Sequence, residues 1–178
     1  IQGLRIFCEY RDQRSFPLLL PLLDQPCPVE RMSAVYALGR NPCPSAVQKL
    51  VSLLETDDNA YVRRATAWSL ANYDNQIVLK PLINALKNDV AAVRLWSSSS
   101  LAEIGNVSSK NAELAAEQLL ISLKIDNESG VRSNCIWSLC RLFEKLNNTF
   151  QECFVDECTK IALFDKEPSV MEEAKTAL

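Results

Sequence analysis

Apolar positions recur along this chain at helical spacing in paired segments, and the second segment of each pair closes on the same phrase. The copies run from Glu30-Arg31 to Leu38, Val62-Arg63 to Leu70, Val93-Arg94 to Leu101, Val131-Arg132 to Leu139 and Val170 to Leu178. In each, the opening residue lies eight before the final Leu, and Ala, Ser or Thr fill much of the interval. The closing leucines are 32, 31, 38 and 39 residues apart. Self-similarity at such a period marks a solenoid, in which each unit buries its apolar face only by stacking on its neighbours. A solenoid offers a long groove rather than an enclosed pocket.

Each unit reads as two antiparallel helices. In the second, Ser45 after Pro44 is a natural N-cap, Val47, Leu50, Val51 and Leu54 have helical spacing, and Thr56-Asp57-Asp58-Asn59 is a polar turn before a helix over Ala60–Tyr73. The third follows with Asn75–Lys87, a turn at Asn88-Asp89 and Ala91–Ile104, where Gly105 acts as a stop. The fourth and fifth have longer first helices, Ala112–Lys124 and Thr149–Phe164, and Pro21 and Pro81 are expected to kink theirs. No strand pattern interrupts this order. The expected fold is all-α, a right-handed α-solenoid of about five repeats forming a single domain over residues 1–178, with a partial N-terminal repeat. Ile1–Tyr10 reads as the tail of that earlier repeat, with Phe7 lying 31 residues before Leu38, and Leu178 ends the chain on a motif position. Both ends thus read as cut, and a fragment of a longer array is expected.

At 100° per residue, the opener, the residue four before the Leu, the one just before it and the Leu itself share one side of the second helix. That side is the expected core, Val62, Thr66, Ser69 and Leu70 in the second copy, and its small residues admit neighbouring helices closely. Two before the Leu, about 150° away, stand Tyr36, Trp68, Ser99, Trp137 and Thr176; six before it stand Met32, Arg64, Leu95, Ser133 and Glu172. Trp96 flanks the same face. All three tryptophans of the chain thus converge with Tyr36, Met32 and Leu95 on one surface. Such rings could fill gaps between helices or meet absent repeats; a row of aromatic residues is also the composition of interface hot spots, which makes the concave groove the candidate binding site.

The Arg at the second motif position recurs as Arg31, Arg63, Arg94 and Arg132, then becomes Met171. Acidic turn residues precede it at Asp24, Asp57 or Asp58, Asp89 and Asp126. An anion-binding ladder is one reading. Asp–Arg pairing that staples consecutive turns is the other, and the matched spacing favours it. In the first copy Glu30 stands where an apolar opener is expected, and a small shift would let Val29 take its place.

A net charge of −3 supplies no basic stripe for nucleic acid, and no apolar run is long enough to span a bilayer. Seven cysteines (Cys8, Cys27, Cys43, Cys135, Cys140, Cys153 and Cys158) form no C-x-x-C pair, which points away from a secreted disulfide framework and towards a reducing cytoplasmic setting. The Pro-flanked Cys27 and Cys43, in turns, are weak metal candidates; Cys135, Cys140, Cys153 and Cys158, on helices, read as small core or semi-buried residues. The chain has no His, the commonest general base, and no Gly-rich phosphate loop or nucleophile elbow. Conventional hydrolase or transferase chemistry is therefore not expected, nor is a resident cofactor.

The copies Val62-Arg63-Arg64-Ala65-Thr66-Ala67-Trp68-Ser69-Leu70 and Val93-Arg94-Leu95-Trp96-Ser97-Ser98-Ser99-Ser100-Leu101, with their acidic turns, resemble HEAT repeats. More narrowly, they resemble the short class called phycobilisome-lyase HEAT-like repeats, of cyanobacterial type. That class usually carries Gly after the motif Leu and a charge two before it; here Gly follows only Leu38, and aromatics stand where charge is usual. The resemblance implies one of three roles: a non-catalytic scaffold or adaptor for a protein partner; a bilin lyase or lyase-like chaperone that cradles an open-chain tetrapyrrole, working with a partner lyase subunit, and delivers it to a phycobiliprotein Cys; or a partner of A-type iron–sulfur carriers. The scaffold ranks first and the bilin lyase second; bilin would be a transient ligand, and an iron–sulfur cluster held by this chain is not expected.

Overall fold

The computed structural model describes residues 6–7, 11–73 and 76–178. Among these residues ten α-helices alternate as first and second members of five pairs: α1 (Phe16–Leu19) with α2 (Pro28–Arg40), α3 (Val47–Thr56) with α4 (Ala60–Leu70), α5 (Leu79–Asn88) with α6 (Ala91–Gly105), α7 (Ser109–Ile125) with α8 (Ser129–Leu142), and α9 (Asn148–Phe164) with α10 (Pro168–Ala177). No strand occurs among the described residues. The expected N-terminal repeat tail and Asn75 fall largely outside them. Of that tail, Phe7 packs against the core, and its carbonyl accepts from Asn41 Nδ2 at 2.6 Å.

Local chemistry sets the helix starts. Asn59, Ser108 and Asn147 cap α4, α7 and α9 by accepting from backbone N–H groups in the first turn. Pro28 and Pro168 open α2 and α10, where no intrahelical N–H is needed. Ser45 is no N-cap: it lies inside a 3-10 turn, Pro44–Ala46, that leads into α3. Pro81 causes no mid-helix break either, since it is the third residue of α5 and its missing N–H is one of the free ones. At Pro21 the first helix does change character, passing from α1 to a 3-10 segment over Leu20–Asp24. Gly105 does not stop α6 through a left-handed turn, because no described glycine has positive φ. It is the last residue of the helix and sits at a close approach: a Cβ there would stand 2.9 Å from Leu142 Cδ2. Val29 remains exposed, so the first copy has no apolar opener in the core.

The second helices form the tighter layer. Val62, Thr66, Ser69 and Leu70 are fully buried, as the angular argument requires, and so are Leu38, Leu101 and Leu139; each such Leu contributes about 2 kcal/mol of burial. Leu178 is the exception, 60% exposed beyond the end of α10. Between repeats the buried small residues do more than save space. The hydroxyl one before the closing Leu donates to the carbonyl three before the closing Leu of the preceding repeat: Ser69 to Val35 at 3.2 Å, Ser100 to Ala67 at 2.8 Å, Ser138 to Ser98 at 2.9 Å. Tyr73 adds a further tie, its hydroxyl donating to the Leu38 carbonyl at 3.0 Å while burial pushes its pKa up to about 12. Second helices approach one another more closely than first helices do. The double layer therefore curls towards them, and their outer faces line the concave side.

Candidate partner-binding groove

On that concave side Trp68 of α4, Trp96 of α6 and Trp137 of α8 line one open trough of about 380 Å³. Trp68 and Trp137 come from the same position of the second and fourth repeats, two before the closing Leu. Between them that position holds Ser99, whose small side chain leaves the floor open for Trp96 to enter from one turn earlier. Trp96 and Trp137 are 36% and 40% exposed, high for the largest apolar side chain. Tyr36 of α2 continues the row, its ring 5.3 Å from that of Trp68 at a 52° tilt. Met32 and Leu95, also expected on this surface, are not brought into the trough. They are half-buried against the core on the N-terminal flank of the face.

The position two after the closing Leu was not singled out by the repeat pattern. Two residues after the closing Leu stand Arg40, Asn72, Glu103 and Arg141, and all but Arg141 line the trough. The signal was available: these residues lie four after the aromatic column, one turn along the same helix face. The Arg40 guanidinium carbon sits 5.3 Å from the Trp68 ring centre, and that of Arg141 5.2 Å from the Trp137 ring centre. Arg141 is neutralised by Glu103 at 2.9 Å. Arg64 lies one turn before Trp68, donates to the Tyr36 hydroxyl at 3.3 Å, and has a buried Nε without a hydrogen-bond partner. Indoles, guanidiniums, an amide, a Ser hydroxyl and the Arg141-paired Glu103 carboxylate make a recognition surface.

The four motif arginines lie apart from the trough, along the edge formed by the turns. Each reaches forward to the Asp of the next turn: Arg31 to Asp57, Arg63 to Asp89, Arg94 to Asp126 and Arg132 to Asp165, with N–O distances of 2.7 Å. Each pair is bidentate, and the remaining guanidinium nitrogen donates to a carbonyl of its own turn, as Arg94 does to Asp89 at 2.9 Å. Asp165 completes a series whose members at Asp57, Asp89 and Asp126 were readable from spacing. Asp24 pairs instead with Lys49. Burial opposes ionisation of Asp57, Asp126 and Asp165, but the Arg bonds and a backbone N–H outweigh it and hold all three carboxyls below the usual range. With their charges consumed pairwise, these arginines staple the repeats.

The two Pro-flanked cysteines part company. Cys27 is exposed before α2, whereas Cys43 is buried with Sγ 2.9 Å from Ser45 Oγ. Among the described residues no group of three or more His, Cys, Asp or Glu side chains is placed to hold a metal ion. Cys135 and Cys158 are buried while Cys140 and Cys153 are exposed, and Cys8 lies outside the described residues. Among the described residues, no helix is long and apolar enough to cross a membrane.

Solved structures with this fold include the complex of CpcE and CpcF of phycocyanin lyase from Nostoc sp. PCC7120, at 21% identity and a TM-score of 0.73 over 93% of this chain and 99% of that one. A designed armadillo repeat protein in complex with the peptide (KR)4 matches at 19% identity and a TM-score of 0.70, over 99% and 89% of the two chains. An engineered protein matches at 21% identity and a TM-score of 0.68 over the same shares. No curated protein matches the sequence. The sequence profile of HEAT repeats matches residues 1–71 and 47–140, together most of the chain, and with the paired helices, the buried motif leucines and the stapled turns this places the protein in the HEAT-repeat family.

Proposed function

We propose that this protein is a non-catalytic scaffold whose concave trough holds an extended segment of a partner protein. The observation that carries the reading is the placement of all three tryptophans of the chain on one open surface instead of in the core. Anchors of this kind contribute on the order of 2 kcal/mol each when a partner buries them. An A-type iron–sulfur carrier fits as a partner that brings its own cluster, because the exposed thiols Cys27, Cys140 and Cys153 stand on separate elements.

A second reading, a bilin lyase or lyase-like chaperone, draws on the likeness to the CpcE–CpcF complex. Flat apolar rings of an open-chain tetrapyrrole would stack on the same indoles, with the acceptor protein supplying the thiol. Intrinsic fluorescence separates the two, since every tryptophan reports from the trough. The protein is titrated with a purified A-type carrier and, separately, with phycocyanobilin. A carrier-induced emission change weakened about 30-fold by Trp137→Ala supports the scaffold. A bilin absorbance shift with the same sensitivity supports the chaperone. Binding of both that ignores Trp68→Ala and Trp137→Ala refutes the groove.

A further inference from the structure

Resting on the trough as a protein-binding groove, we propose that its occupant is an acidic segment, with carboxylates seated over α2 and α4 and an uncharged apolar residue over α6 and α8. The chain as a whole carries a net charge of −3, yet the concave stripe is locally positive. Its acidic residue, Glu103, is already bound to Arg141. Glu172, further along at α10, is held by Lys175 at 2.6 Å. Arg40 and Arg64 have no carboxylate within 4.0 Å among the described residues, although every motif arginine on the opposite edge has one.

The geometry favours a carboxylate over a neutral or cationic side chain. The Arg40 guanidinium carbon lies 5.3 Å from the Trp68 ring centre and that of Arg64 5.7 Å from the Tyr61 ring centre, so a ring holds each cation in place, and the exposed Arg40 keeps N–H groups free for a partner. An oriented guanidinium edge pairs bidentately with carboxylate, which a solvated Lys cannot match. Arg64 donates to the Tyr36 hydroxyl, and its buried Nε is unsatisfied. The two cations bracket the Tyr36–Trp68 pair, whereas Arg141 beside Trp137 is neutral in effect. The trough is therefore polarised along its length, acid-seeking over α2–α4 and apolar over α6–α8. Four second helices at about 9 Å spacing span roughly 27 Å, the reach of about eight extended residues.

Peptides of about a dozen residues built from Glu-Leu-Pro, Gln-Leu-Pro and Lys-Leu-Pro repeats test this, with tryptophan emission as readout; the prolines keep them extended. The Glu peptide is expected to bind about 25-fold more tightly than the Gln peptide at low salt, with the advantage shrinking as ionic strength rises. Arg40→Gln and Arg64→Gln each remove about five-fold of it, and the exposed Arg40 covers the case in which Arg64 matters for folding. Glu103→Gln frees Arg141 and tightens the Glu peptide a few-fold. Equal binding of all three peptides, sensitive to Trp137→Ala, overturns the acidic occupant and leaves the protein groove standing. Preference for the Lys peptide overturns it as well. If only phycocyanobilin moves the emission, the trough is a chromophore groove; if nothing does, both the groove and its occupant are refuted.

Discussion

Three glycines provide a graded test of how tightly the repeats are packed. A Cβ at Gly39 would stand 2.6 Å from Trp68 Cζ3, 2.8 Å from Ser69 Oγ and 3.1 Å from the Ser69 Cα. The last contact is backbone, so α2 and α4 must separate, straining the Ser69–Val35 hydrogen bond. Overpacking against backbone costs about 2–3 kcal/mol, the upper part of the usual range, against about 1 kcal/mol that Ala gains over Gly inside a helix. Gly39→Ala is therefore expected to destabilise by about 1–2 kcal/mol and to shift Trp68 emission. At Gly105 the close atoms are the ends of Leu142, at 2.9 and 3.2 Å, which can turn aside. There the helical gain offsets the crowding and the net is within about 0.5 kcal/mol. At Gly130 a Cβ meets only Leu95 Cδ1 at 3.4 Å, ordinary contact, and Gly130→Ala should stabilise by about 0.5 kcal/mol. Urea titrations followed by circular dichroism rank the three. A Gly39→Ala midpoint equal to wild type, or a Gly130→Ala midpoint below it, refutes the packing argument.

Asp126→Asn should cost about 2 kcal/mol, because it leaves the half-buried Arg94 with a neutral partner. Asp57, Asp126 and Asp165 have folded pKa values below the unfolded carboxylate value near 3.9, so their stabilisation is complete above that pH and is lost as pH falls through the lower folded values. The urea midpoint should drop below about pH 4, less steeply in Asp126→Asn, and a midpoint constant down to about pH 2.5 would contradict the staple. Ser100→Ala removes a buried 2.8 Å bond to Ala67 and should cost about 1 kcal/mol; a loss no larger than that of ordinary surface substitutions, about 0.5 kcal/mol, sinks the serine lattice. In the native state a thiol reagent should label Cys27, Cys140 and Cys153, while Cys43, Cys135 and Cys158 wait for unfolding; burial pushes Cys158 up to about 12. Fast labelling of Cys135, which is fully buried, would contradict that packing.

The repeat frame was readable because its determinants are local and periodic. Val62, Thr66, Ser69 and Leu70 declare a buried face at helical spacing, and one copy predicts the next. Helix ends were read less well. Ser45, Pro81 and Gly105 each have a default role in short-range chemistry, and each is overruled by something non-local or by a turn of 3-10 helix. Gly105 answers to Leu142, 37 positions away in sequence. The trough was half legible for the same reason. The aromatic column could be placed by angle, but a pattern of single positions does not show that Met32 and Leu95 turn to the core, or that Arg40 and Arg141 lie over the rings. The hydroxyl-to-carbonyl bonds were hidden because a buried Ser looks like any other small residue until its neighbour's backbone is in place.

Frame and groove are nearly independent, and the one place where they meet makes a final prediction. The frame uses the core face, the serine lattice and the Arg–Asp edge, none of which draws on a concave ring. Trp137 illustrates the separation: it is 40% exposed and Arg141 lies over its ring, so Trp137→Ala should lower trough binding while costing no more than about 0.5 kcal/mol of stability. Trp68 differs. Its ring lies over Gly39 of the preceding helix, tilts against Tyr36 at 5.3 Å and supports Arg40. Removing it opens a gap between α2 and α4 that the glycine cannot fill, and a half-buried aromatic lost in this way costs about 2 kcal/mol. Trp68→Ala should thus weaken both stability and binding, and Trp137→Ala binding alone. Equal urea midpoints for the two variants would show that Trp68 is only a groove residue and that Gly39 owes its place to something else.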